Sequence, residues 1–272
     1  MNYQQTLEGA GVKVKRILGN DQDSTLDPFL LLDDFGSDNP EDYIKGFPWH
    51  PHRGMETVTY MWEGEVEHGD NMGNKGIIKS GDVQWMTAGS GIIHQEMPKK
   101  YLGLMQGFQL WVNLPAKKKM INPKYRGIEK EQIPTIKKDG VTVKVIAGKV
   151  DGILGPVRDL ATGIEYFDIK LAAGKTFEHA TPKNYTVFAY VVEGSIDVQG
   201  KEMLQGQCAV FGKGDIAKIS SKNGGRILFV LGEPLNEHVA WRGPIVMNTE
   251  EELEKAFEEL EEGTFIKTKS KV

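Results

Sequence analysis

Residues 49–68 read WHPHRGMETVTYMWEGEVEH. Within them an apolar, aromatic-rich run, TVTYMW, ends at Glu63-Gly64, and a second alternating run, EVEH, follows. Strand, Glu-Gly, strand is the reading that this pattern supports. The same arrangement recurs in TVFAYVVEGSIDV (186–198), with Glu193-Gly194 at the equivalent place. Each copy then meets another turn into a strand, Ser80-Gly81-Asp82 in the first and Gln205-Gly206-Gln207 in the second. Self-similarity at this scale predicts two related β-domains.

Outward from these two segments the chain keeps the same character. VKVKRIL (12–18), FQLWVNL (108–114), VTVKVIAG (141–148), YFDIKL (166–171) and RILFVLG (226–232) are short Val/Ile/Phe-rich runs. The 32 glycines and 12 prolines punctuate them. The fold class is therefore all-β, of sandwich or barrel type. One helix is expected near the end. Thr249 and Glu252 have capping-box spacing, Leu253, Phe257 and Leu260 share a face, and Gly263 sits where a helix stops. The charged stretch 115–140, with Pro115, Pro123 and Pro134, reads as a linker. The expected organisation is an N-terminal domain at 1–114, the linker at 115–140, and a C-terminal domain at 141–272 ending in the helix.

Composition narrows the function classes. The chain has 272 residues, a formal net charge of −5 and 26% charged residues. The acidic balance disfavours a dedicated nucleic-acid binder. The lysine pairs and triplets at 99–100, 117–119 and 137–138 are short and dispersed, and read as solvated loops. No apolar run is long enough for a transmembrane helix, and the first residues show no secretory h-region. The single cysteine, Cys208, leaves no internal disulfide framework and no cysteine-based zinc site. A cytoplasmic setting is expected.

The histidines carry the chemistry. His50 and His52 form an H-x-H pair, and on a strand residues i and i+2 share a face. His94 and Glu96 have the same spacing, and together the four make a three-histidine, one-carboxylate set that suits several transition metals. Glu56 has the parity of the first pair. Trp62 shares it too, and Trp85, Met86, Phe108 and Trp111 lie near the motif. Trp62, Trp85, Met86 and Phe108 are the candidate pocket residues. His68 reads as a solvated loop side chain, and His179 and His238 as isolated ones. At the spacing of the repeat no ligand set recurs in the second half, so one metal is expected, in the first domain.

His50-x-His52-x3-Glu56, Gly64, Gly81-Asp82 and His94 together are similar to the two-part cupin motif. FPWHPHRGMETVTYMWEGEVEHGDNMGNKGIIKSGDVQWMTAGSGIIHQEMP (47–98) and GEPLNEHVAWRGPIVMNTEEE (232–252) resemble the pirin family more specifically. The resemblance spans nearly the whole chain. It implies a bicupin, two stacked jelly-roll β-barrels with a short C-terminal helix. It implies His50, His52, His94 and Glu96 as metal ligands and leaves Glu56 a supporting or structural role. It implies one transition metal, iron(II) first, with Mn, Ni, Co, Cu or Zn as alternatives. Two activities come with the family. One is a quercetin 2,3-dioxygenase-like reaction, in which Glu96 acts as base on a flavonol and O2 is the second substrate. The other is a non-catalytic, redox-responsive iron protein that regulates through a protein partner. Direct nucleic-acid or membrane binding is expected in neither. Fold and ligands do not choose between the two.

Overall fold

The structure is a computed structural model that describes residues 1–19 and 26–268. Its described residues are mostly strand, with one α-helix, Glu250–Glu261. They form two compact units.

One unit comprises Gln4–Thr25, Phe29–Lys130 and Leu235–Val272. Its larger sheet runs Gln4–Glu8, Val12–Leu18, Phe29–Ser37, Met105–Asn113, Met55–Glu63, Val83–Thr87, Lys124–Ile128, with every neighbouring pair antiparallel. Its smaller sheet runs Phe47–His52, Ile92–Pro98, Glu65–Asp70, Lys75–Lys79. Glu63-Gly64 is a corner between the two sheets. Met55–Glu63 pairs within the larger sheet, and Glu65–Asp70 within the smaller one. Gly64 makes the corner at φ +99°, and a Cβ there would press on the Met105 side chain.

The other unit comprises Met1–Tyr3, Leu26–Pro28 and Glu131–Pro234. Its main sheet begins Thr135–Lys138, Val141–Ala147, Glu165–Leu171, Gly225–Gly232, Thr186–Val198. Counted along the chain this is the same strand order as in the first unit, as the repeated segment implies. Here the strand runs on through Glu193-Gly194, with a register irregularity at Val191/Glu193. Phe167, Phe229, Ile169, Val191 and Ile227 form the middle of its core.

The units do not follow the expected boundaries at 114 and 140. Residues 124–128, inside the predicted linker, are a strand paired with Val83–Thr87. The first three residues belong with the second barrel, where Asn2 bridges Gln207 and the Cys208 N–H donates to the Met1 carbonyl. The helix is in the unit that carries His50, His52 and His94, not at the end of the other one. Leu253 and Ala256 are buried against Ala240, Ile245, Met247 and Phe265, with Ile93 alongside. Burying such a leucine contributes about 1.5–3 kcal/mol, which is reason enough for the docking. The helix's own signals hold. Thr249 and Glu252 close a capping box. At the far end the Gly263 N–H donates to the Leu260 carbonyl and the Thr264 N–H to that of Glu259, with Gly263 at φ +72°.

Candidate metal centre

His50 and His52 lie on the edge strand Phe47–His52, where Pro48 and Pro51 cost no ladder bond. A register shift between Phe47 and His50 sets His50 directly opposite His94. On Ile92–Pro98 burial alternates strictly, with Ile92, His94, Glu96 and Pro98 facing inward. The H-x-H pair and the H-x-E pair therefore meet across one ladder.

The ligand nitrogens of His50, His52 and His94 lie within 4.8 Å of one another. Ring centroids are 4.8 Å apart for His50 and His52, 4.4 Å for His50 and His94, and 5.0 Å for His52 and His94. His50 Nδ1 sits 2.8 Å from the Pro48 carbonyl, and His52 Nδ1 3.2 Å from that of Pro244. A carbonyl only accepts, so both rings carry a proton on Nδ1. Their Nε2 lone pairs then face each other at 3.0 Å. Two acceptors this close need a cation between them or an added proton. His94 sharpens the point: both its ring nitrogens are buried without a hydrogen-bond partner. Neutral imidazoles with fixed tautomers and an orphaned third ring fit a transition metal.

Burial disfavours the protonated form of His52 and His94. His52 is pushed well below the ordinary histidine value of 6.5 by desolvation, then by His50 beside it. His94 is pushed down by desolvation, then by His52, His50 and His68. The unfolded chain takes up protons below 6.5 that the buried rings refuse, so stability falls with pH there. Metal-free protein should melt at lower temperature at pH 6.2 than at pH 7.5. Asp33, raised by burial to about 6, takes up its proton in the folded chain over the same range and acts in the opposite sense, so it offsets part of the two-histidine effect at pH 6.2. A higher melting temperature at pH 6.2 would contradict the assignment of neutral rings.

Glu96 shares the inward face of its strand with His94 but stands outside the cluster of ligand atoms. Its Oε1 accepts from Thr59 Oγ1 at 2.8 Å and its Oε2 from Gln109 Nε2 at 2.9 Å. Gln109 Oε1 in turn accepts from Trp111 Nε1 at 3.0 Å. Glu56 points to the other face of its sheet. Its register partners are Thr87 and Val112, and Thr87 Oγ1 donates to its Oε1 at 2.5 Å. Burial raises its pKa against that bond. The bond ties it to the neighbouring strand. The parity count from His50 fails because the chain turns at Gly54 (φ +75°), where a Cβ would overlap the Val246 carbonyl.

His68 is a correction. It is buried, not solvated: its strand pairs with Ile92–Pro98, so it lies opposite Glu96, 5.5 Å from the His94 ring. Gln84 Nε2 and Tyr125 hold it, the first at 2.7 Å from Nδ1, the second stacked at 5.0 Å. His179, in the other unit, lies 2.6 Å from Glu165 Oε2 and among Phe167, Phe177 and Phe229.

A cavity of about 730 Å³ opens beside the cluster. It is lined by His50, His52, Gln109, Trp111, Trp241 and Phe47 among others. Its size suits a small aromatic ligand. None of Trp62, Trp85, Met86 and Phe108 lines it. Gln109 and Trp111 face the cavity, so Phe108 faces away; Trp62 packs on Phe108 at 6.1 Å, and Trp85 shares the row of Val58 and Leu110. Met86 is buried with Ala88 and Ile92. Trp241, Gly243 and Pro244 were missed because they come from a segment nearly two hundred residues beyond His52. Arg53 and Lys119, both fully buried, help to bind that segment in place. Arg53 donates to the Ser90 and Phe265 carbonyls and pairs with Glu259. Lys119 Nζ donates to the Gly54 and Val246 carbonyls and to Asn113 Oδ1.

Comparison with known proteins gives matches over both parts of the chain. A family model described as Pirin matches residues 11–112, and one described as Pirin C-terminal cupin domain matches residues 166–266. A pirin-like protein of Caulobacter vibrioides is 45% identical over 265 residues, covering 96% of each chain. Human pirin is 43% identical over 256 residues, 92% of this chain and 86% of that one. The crystal structure of a quercetin 2,3-dioxygenase from Acinetobacter baumannii superposes with a TM-score of 0.90 at 35% identity, covering 97% of this chain and 95% of that one.

Proposed function

The chain belongs to the pirin family, and on that premise we propose that it is a metal-dependent dioxygenase that opens flavonols such as quercetin with O2. The observation that carries the reading is a cluster of three imidazoles, His50, His52 and His94, of which the first two form part of the wall of an aromatic-lined cavity. His50, His52 and His94 would hold the ion, iron(II) by our reading, with Glu96 as the fourth ligand. Such an ion lowers the pKa of a substrate hydroxyl and keeps its anion in place. The reaction implied by the family puts one atom of O2 on C2 and the other on C4 of the flavonol, breaks the C2–C3 and C3–C4 bonds, and releases C3 with its own hydroxyl oxygen as carbon monoxide.

The protein's own part follows from the site. Trp111 and Trp241, 6.2 Å apart between centroids, and Phe47 offer flat walls that orient a planar substrate and exclude water. Glu96 accepts the proton of the 3-hydroxyl. Thr59 and Gln109, the latter on the cavity wall, hold its carboxylate through both oxygens and fix its orientation. A cytoplasmic setting is part of the proposal.

The test is quercetin absorbance under air, with carbon monoxide release, using tag-free protein loaded with iron(II). Turnover is expected, and Glu96→Gln should retain metal while losing roughly 100-fold or more in rate, the scale of general-base removal. A fully active Glu96→Gln would overturn the base role. Bound metal with no turnover would overturn the dioxygenase reading in favour of a metal-binding regulator.

A further inference from the structure

The cavity has a second polar end. The register of the larger sheet sets Gln109 opposite Asp33, and Asp33 opposite Arg16, across three neighbouring strands. Strands lie about 4.8 Å apart, so this row carries the wall roughly 10 Å from Gln109, the scale of a linked two-ring aromatic. Arg16 Nε and Nη2 donate to the two oxygens of Asp33 at 3.0 and 2.9 Å, and Nη2 also pairs with Glu8 Oε1 at 2.8 Å. Glu8, Arg16 and Asp33 line the same cavity as His50 and His52.

Two carboxylates around one guanidinium leave this end with a net negative charge. Arg16 Nη1 and the second oxygen of Glu8 are not used in these bonds, so the group keeps a further donor and a further acceptor. Asp33 is buried to 6% exposure, and its pairing with Arg16 is shielded from water. Nothing in the proposed chemistry at the histidines uses this group.

We propose that Glu8, Arg16 and Asp33 form a recognition point for adjacent hydroxyls on the substrate ring remote from the histidines, so that the cavity selects a catechol-bearing flavonol over a bare or anionic one. One hydroxyl donates to Glu8 while its neighbour accepts from Arg16. A carboxylate or sulfate on that ring would meet the excess negative charge. The proposal rests on the flavonol reading above and deepens it.

The test is calorimetric titration of the full-length, metal-loaded protein without oxygen, so that binding is read apart from turnover. Quercetin, kaempferol and galangin share the reacting rings and carry two, one and no hydroxyls on the third. Hydrogen bonds to charged groups predict that quercetin binds about tenfold or more tighter than galangin, with kaempferol between. Glu8→Gln, at the half-exposed end of an edge strand, should bring the quercetin-to-galangin ratio toward one because quercetin loses affinity. Arg16→Gln should do the same. Equal affinities in the unaltered protein, or an undiminished ratio in Glu8→Gln, would overturn the recognition point while leaving the flavonol reading intact. Binding of none of the three would overturn the flavonol reading and this end of the cavity with it.

Discussion

His94→Ala protein retains less than about a tenth of the transition metal that the unaltered chain holds after the same loading and desalting. Loss of a mere supporting contact typically costs a metal site about 10–100-fold in affinity, and His94 is itself a ligand in this account. The expected effect on stability is unusual in sign. Truncating a buried side chain normally leaves a costly cavity. Here it also removes two buried nitrogens that have no partner without metal. The metal-free variant should therefore melt close to metal-free native protein. With metal in excess, only the native protein should rise, by about 4 kcal/mol at a thousandfold excess over Kd. Elemental analysis and paired melting curves check both halves. Undiminished metal content, or an equal metal-induced rise in the variant, would contradict the role given to His94.

Arg53→Leu produces the largest loss of stability expected from a residue that touches no metal. Arg53 is 2% exposed, donates to the carbonyls of Ser90 and Phe265, pairs with Glu259 at 2.8 Å, and lies 4.1 Å from the Phe265 ring centroid. Leucine fills part of the volume but leaves two carbonyls without their donor and Glu259 with Lys267 as its remaining cation. Breaking a buried pair in this way costs about 3–5 kcal/mol. The damage should reach the centre, because the segment released also carries Pro244, whose carbonyl holds His52 Nδ1. Metal affinity should fall about tenfold, as for other losses of a tautomer-fixing contact. Urea unfolding and metal competition measure the two effects. A variant as stable as the native protein, or one destabilised with metal affinity intact, would show that the segment does not support the site.

Local pattern made much of this legible. Strict alternation on Ile92–Pro98 put His94 and Glu96 inward, and the Thr249–Glu252 capping box placed the helix start. The repeated segment gave two barrels with one strand order. What the pattern could not carry was pairing between distant segments. Glu56 and Trp62 went to the wrong face because Gly54 resets the two-residue count. His68 was misjudged because its burial comes from pairing opposite Glu96, not from its own Gly-rich surroundings. The domain limits failed for the same reason. Residues 124–128 and the helix each bury their apolar face against the first unit, far from where chain order alone would assign them. The cavity's Trp241 and Gly243 arrive with that returning segment.

The central claim is that the three imidazoles hold one transition metal at the cavity wall. An anomalous-difference map, recorded at the iron edge from crystals loaded with iron(II), tests it most directly. The account predicts a single strong peak among the rings of His50, His52 and His94. No peak there, or a peak displaced to His68 and Asp70, would contradict it.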